Sequence, residues 1–254
     1  MATPYILSEI SWKSVQSQKY DIVVLPWGAT EAHNYHLPYG TDIIESEYIA
    51  RVAAGKAWEQ GTRVVILPAI PFGVNTSQLD IFMTMNMNPS TQMKILEDVL
   101  DSLTIHGVGK LVIFNGHGGN DFKIMIRELQ PRYPDIFIVQ LNWYEVVPLE
   151  SFFEAGGDHA NEMETSVMMH IVPDLVLPLN EAGSGKALGF KFDARKEGWV
   201  WFPRAWTKVT QDTGIGNPAK ATAEKGRKYL EVITDKIAAF FTDLAVTPAD
   251  EIYK

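Results

Sequence analysis

Cysteine is absent from the 254 residues, which removes disulfides and thiolate metal sites and leaves nitrogen and oxygen as the ligand atoms available to a metal. Positive charge is scarce as well. Lys and Arg number 22 against 31 Asp and Glu, a formal net charge of −9, and they form no cluster, so no nucleic-acid partner is expected. No apolar run approaches the roughly 18 to 20 residues of a membrane span, and MATPYILSEISWKSVQ has no basic segment leading into an apolar one. The expectation is no membrane partner and a cytoplasmic location. Apolar residues, by contrast, are plentiful: 46% of the chain is hydrophobic and 21% charged, enough to bury a sizeable core, and one domain over residues 1–254 is expected.

Short β-branched runs recur, each followed by a turn and then a helical pattern: DIVVLPWG from Asp21, RVVILPAI from Arg63, KLVIFNGHGGN from Lys110 and DIFIVQLNW from Asp135. Such continuous runs fit parallel strands covered on both faces. Between them, ESEYIARVAAGKAWEQG ends at Gly61, and PSTQMKILEDVLDSLTIHG begins with Ser90 or Thr91 as cap and stops at Gly107, as bounded helices do. The alternation predicts a layered α/β/α fold with a mostly parallel central sheet. DIFMTMNMNP has period two and predicts an extra strand, its methionines serving as packing. Residues 179 to 220 are rich in glycine and aromatics and predict an ordered excursion over the site mouth or into a neighbouring subunit, because Trp199, Trp201, Phe202 and Trp206 need burial. A last helix is predicted from about Lys220 to Asp243.

Three segments carry chemistry. EAHNYHLPYGTD follows the first predicted strand, where parallel sheets form their sites, and Glu31 and His33, one residue apart, point the same way in an extended segment. Taken alone this is equally a polar turn. FNGHGGN places His117 just after the third strand; it is no phosphate cradle, because the residue two beyond Gly119 is Asp121 and there is no Walker lysine. In DHANEMETS, His159 and Glu162 lie three apart and share a face if a helix begins there. An acidic helix start accounts for Glu164 but not for His159. His106, ahead of Gly107, and His170, among apolar residues, read as structural.

Together EAHNYHLPYGTD, NGHGGN and HANEMETS, with the later GNPAKATAEKG, resemble the ordered motifs of the creatininase (creatinine amidohydrolase) family, over most of the chain. The resemblance implies a creatininase-like fold with a dinuclear metal centre: Glu31, Asp42 and His117 around one ion, His33 and the shared Asp42 on a second. Creatininase takes a further carboxylate from the loop position that is Gly119 here, and relatives with glycine there carry a glutamate in the later motif, so Glu162 is the expected fifth ligand. His159 matches the catalytic histidine, and His36 the second loop histidine, a substrate contact or a structural residue. Asp158 is a candidate to orient the His159 ring, and a homo-oligomer, a hexamer, is expected.

Glu31, Asp42 and Glu162 in one desolvated place would repel one another unless cations neutralise them. Two divalent ions do so and lower the pKa of a bound water toward about 7. Imidazole with carboxylate suits Zn²⁺, with Mn²⁺ or Fe²⁺ open at one site. The expected activity is metal-dependent amide hydrolysis, a metal-activated water cleaving a C–N bond in a small polar cyclic amide or formamide. Opening of a cyclic keto-sugar or inositol ring and non-catalytic small-ligand binding are the alternatives. Asn34 and Tyr35 replace the family's Gly-Pro, Asn161 replaces a glycine, and Ala155 stands where creatininase has a wall tryptophan. Tyr35 is expected to add bulk beside the metals and Trp143 to supply a wall, so creatinine is not the expected substrate.

Overall fold

Four apolar runs become a parallel sheet in the order β2-β1-β3-β4, with β1 at Ile22–Trp27, β2 at Val64–Ile66, β3 at Lys110–Asn115 and β4 at Phe137–Asn142. The computed structural model describes residues 3–253; positions 1, 2 and 254, the ends of the expected 1–254 span, lie outside them. β1 and β3 are buried along almost their whole length, which is why their sequences run apolar without alternation.

Both faces are covered, and successive side chains choose between them. Ile22, Val24, Val112 and Phe114 pack with α1 (Thr41–Glu59) and with the last helix. Val23, Leu25, Leu111 and Ile113 pack with α2 (Pro89–Ile105) and α3 (Lys123–Leu129). The last helix, α5 (Ala223–Val246), follows α4 (Glu162–Ile171) and packs against it. A Cβ at Gly226 would collide with the Ser166 carbonyl oxygen, so only glycine permits this approach. No helix among the described residues is long and apolar enough to cross a membrane.

Register aligns the strand ends. Trp27 pairs with Asn115 and Asn115 with Asn142, so the loops after β1, β3 and β4 leave from one row at the carboxyl edge of the sheet. β5 (Gly157–His159) and β6 (Ile215–Gly216) form a separate antiparallel pair beside it.

Three expectations change here. The alternating methionine segment is not a strand: Met83 has φ 62°, and only the bridges Thr30–Met85 and Gly73–Asn86 form. Period two in a turn-rich segment without a ladder partner is no strand signal. α2 begins with Pro89 at its first position and Asn88 as its N-cap residue, not Ser90 or Thr91, as proline's missing N–H favours. Phe192, Trp199 and Trp201 are exposed, whereas Trp206 is buried.

Candidate metal centre and cleft

Six side chains converge at the carboxyl edge: Glu31, His33, Asp42, His117, His159 and Glu164. They make three groupings of donor atoms, each within 4.8 Å: Glu31, Asp42 and His117; His33, Asp42 and Glu164; Glu31, His33 and His159. His117 Nδ1 lies 2.9 Å from Glu31 Oε1 and 3.0 Å from Asp42 Oδ2, and His33 Nε2 lies 2.9 Å from Asp42 Oδ1. Asp42 thus offers one oxygen to each side. It sits in the first turn of α1, N-capped by Gly40, where the helix N-terminus favours a carboxylate.

Each histidine is aimed by a backbone carbonyl. Nδ1 of His33 faces the Glu31 oxygen at 3.2 Å, Nε2 of His117 the Val74 oxygen at 3.1 Å, and Nε2 of His159 the Ala32 oxygen at 2.8 Å. A carbonyl can only accept, so in each ring that nitrogen carries a proton and the other is turned to the cluster, where its lone pair serves a cation once that nitrogen is unprotonated. The amide of Gln78 donates to Glu31 Oε2.

The NGHGGN loop is held by its own asparagines. Asn115 accepts from the His117 N–H and donates to the His117 oxygen, Asn120 donates to Asn115, and Gln92 donates to Asn120. A Cβ on Gly119 would collide with the Val74 oxygen and His117 Nε2, so no larger residue fits there.

Charge in this dry place is strongly coupled. Burial opposes a charged His33, but Asp42, then Glu31 and Glu164, outweigh it and push its pKa up to about 10. His117 is raised in the same way against its burial, by Glu31 and Asp42. Asp42 would be raised by burial, yet His33 and His117 hold it below the usual carboxylate range. Burial, opposed by His33 and reinforced by Asp42, brings Glu164 to about 7. His159 is lowered by burial and by His33. Glu45, buried three residues beyond Asp42, is raised well above the ordinary value by burial, Glu164 and Asp42.

The sequence expectations are redistributed. Glu31, His33, Asp42, His117 and His159 come together; Glu162 does not. Its carboxylate accepts from the backbone N–H groups of Glu154 and Ala155 at 2.9 and 2.7 Å and pairs with Lys225. The reason is register. Asn161 caps α4, accepting from the N–H groups of Met163 and Glu164, so Glu162 occupies the first helical position and Glu164 the third, from which its carboxylate reaches back to the Ala160 N–H and over the cluster. Asn161 followed three residues on by Glu164 is a capping signature that could have shown this.

The expected substrate contacts also lie elsewhere. Trp143 is fully buried and packs edge-on against Tyr229 in the core. His36 is buried with Nε2 2.9 Å from the Thr165 hydroxyl, and burial and His33 lower it to about 4. Tyr35 points outward, more than half exposed, and donates to the Gln211 carbonyl. Asn34 takes the left-handed conformation at φ 54° in place of the family's glycine, and its side chain clamps Gly183. Asp158 pairs in bidentate fashion with Arg204, at 3.1 and 2.8 Å, not with His159. His159 lies between the His33 ring, stacked at 4.1 Å, and Trp206, tilted at 4.7 Å. Trp206 belongs to the wall of a cleft of about 830 Å³ whose floor includes Glu31, Asp42, His117, His159 and Glu164 and whose rim carries Arg195, Trp201, Phe202 and Arg204.

Buried imidazoles and carboxylates at the carboxyl edge of a covered parallel sheet define an α/β protein with a site suited to divalent cations. The chain belongs to the creatininase family: the family model, described as creatinine amidohydrolase, matches residues 8–241. A solved structure from Bacteroides fragilis NCTC 9343, provisionally named a creatinine amidohydrolase, superposes with a TM-score of 0.93 at 45% identity, covering 100% of both chains. The mycofactocin precursor peptide peptidase of Mycobacterium ulcerans (strain Agy99) is 27% identical over 85% of this chain and 83% of its own. The creatinine amidohydrolase of Pseudomonas putida is 24% identical over 94% and 96%. Structures named creatininase in Zn-Zn and Mn forms share the fold, with TM-scores of 0.80 and 0.78 at 22% identity, over 97% and 96% of this chain and 100% and 99% of theirs.

Proposed function

We propose that this creatininase-family hydrolase uses two divalent cations to cleave the C–N bond of a small amide, cyclic amide or formamide. The observation that carries the reading is the shared donor set, in which Asp42 presents one oxygen to His33 and the other to His117. Glu31 Oε1, His33 Nε2 and Asp42 Oδ2 are buried, and although they face neighbouring side chains of the cluster at 2.9–3.0 Å none makes a well-directed hydrogen bond, a costly state that cations would relieve. Glu31, Asp42 and His117 would hold one ion, and His33, Asp42 and Glu164 the other. Zn²⁺ suits this donor set, and Mn²⁺ or Fe²⁺ is compatible with the carboxylate-rich side. Bound ions supply an activated water at neutral pH and polarise the carbonyl under attack.

The chain's own residues do the rest. The Nε2–H of His159 is committed to Ala32, so Nδ1 is the nitrogen placed to take a proton from the attacking water and deliver it to the departing nitrogen. The His33 ring stacks on that ring at 4.1 Å and Trp206 leans on it at 4.7 Å, which together limit its rotation. Gln78 keeps Glu31 turned inward.

A second reading, hydrolysis of a peptide amide, is supported by the cleft: about 830 Å³ exceeds what a five-membered lactam needs and falls in the range of drug-sized ligands. A homo-oligomer, a hexamer by family resemblance, is part of the proposal, and exposed Phe192 and Trp199 suit a contact between copies; light scattering tests it, and a monomer refutes it. The functional test is a panel of lactams, formamides, short peptides and keto-inositols offered to protein loaded with Zn²⁺ or Mn²⁺. Turnover that falls roughly 10²- to 10⁴-fold in His159→Asn supports the hydrolase; no turnover of any member sinks it.

A further inference from the structure

The segment from Phe190 to Trp206 brings two guanidinium groups to the cleft, Arg195 and Arg204, and they are in different states. Both N–H edges of Arg204 that face the protein are used by Asp158, and its face lies over Trp206 at 5.2 Å. Arg195 makes no ion pair with any carboxylate among the described residues. Its guanidinium carbon lies 4.9 Å from the centre of the Phe190 ring and 5.8 Å from that of Phe202, and the two rings meet edge to face at 5.2 Å, so the guanidinium lies flat on one of them at most. Its Nε is buried and has no hydrogen-bond partner.

An aromatic ring beside a guanidinium attracts its charge without using its in-plane N–H groups, which stay available for a planar acceptor. A buried donor without a partner is unfavourable, and neighbouring Lys196, by contrast, is tied to Asp193 at 2.8 Å. Arg195 is therefore a cation held in place by aromatic rings at the rim of a hydrolytic cleft, with its bidentate edge unused. We infer that Arg195 recognises a carboxylate on the substrate, remote from the bond that is cleaved, with Phe202 and Trp201 flanking it. The inference rests on the hydrolase reading and narrows it to acylated amino acids, peptides ending at the rim, or lactams bearing a carboxylate. A monoanion is the matching charge at the rim, because Arg204 is already paired with Asp158 and Arg195 offers a single positive charge.

The test is calorimetric binding to the metal-loaded protein of three matched probes: benzoylglycine, its carboxamide, and the phosphonate in which the carboxyl group is replaced. Benzoylglycine should bind roughly 10- to 100-fold more tightly than the carboxamide, as expected for charge-assisted hydrogen bonds. Arg195→Gln should reduce that preference to about twofold or less, Arg195→Lys, which keeps the charge and loses the fork, should leave an intermediate value, and Lys196→Gln should preserve it. An undiminished preference in Arg195→Gln, with metal content equal to the parent's, overturns the proposal, since the carboxylate would then be bound by the ions. No preference in the parent protein, or tighter binding of the phosphonate, overturns it too. Binding is read without turnover, so an Arg195-dependent preference in a protein that hydrolyses none of the wider panel would uphold the anion site while the hydrolase reading fell.

Discussion

The floor and the rim of the cleft are built on opposite plans. On the floor, each imidazole has one nitrogen fixed by a main-chain carbonyl of Glu31, Ala32 or Val74, and the side chains of His33, Asp42, His117 and His159 are buried. On the rim, Arg195, Arg204 and Trp206 are held by stacking and by one half-exposed ion pair. Main-chain hydrogen bonds leave no rotamer to choose, whereas stacked side chains can be exchanged without disturbing the sheet. The proposed metal chemistry is therefore tied to the fold, and the proposed carboxylate recognition to one surface segment.

The largest expected effect is on the floor. Asp42→Ala should lose both ions by elemental analysis, from two per chain to near none; retention of both would remove Asp42 as the shared ligand. Glu164→Gln should lose one ion, whereas Glu162→Gln should keep both and lower stability by about 1–3 kcal/mol, the cost of breaking a buried charged hydrogen bond. The reverse outcome in metal content would return the ligand role to Glu162.

A pH effect separates floor from rim next. His36 is buried and its pKa is lowered to about 4 from 6.5, so the folded state holds fewer protons than the unfolded one. Its contribution is fully present above about pH 6.5 and is lost as pH falls toward 4, roughly 2 kcal/mol between pH 7.5 and pH 5. Urea midpoints at those two pH values should differ less in His36→Asn; an unchanged difference would assign acid lability to other groups. The smallest effect is on the rim, where Phe202→Ala should change KM several-fold with metal content and thermal midpoint unaltered. A loss of metal in that variant would mean that rim and floor are one unit.

The floor was largely legible in the sequence because its residues stand directly after apolar strands: Glu31 and His33 follow β1, and His117 follows β3 by two positions. The mistaken glutamate came from helix phase. Reading His159 and Glu162 as one face supposes that the helix has begun by residue 159, whereas Ala160 is left-handed at φ 49° and Asn161 is the cap. A shift of three residues turns a ligand into the partner of Lys225. Trp143 misled for a related reason, since a tryptophan at a strand end turns either to the cleft or to the core, and its buried partner Tyr229 lies far along the chain. The rim was legible only as a composition. Aromatics and glycines without a period predict a covered segment, whereas Trp199 and Trp201 are exposed, and the composition gives no sign that Arg195 lies near Phe190 and Phe202 or that Trp206 meets His159.

The crowding at Gly119 also constrains how such a site can change over generations. Any side chain there must first displace the Val74 carbonyl that orients His117, so a carboxylate cannot be moved into the loop from α4 by one substitution. Intermediates on that path would lose the imidazole's orientation before gaining the new ligand. An acid at position 119 would therefore have to come with a new path for the Val74 segment, so in this chain the loop and the proposed ligand Glu164 can be exchanged only by changing several residues together.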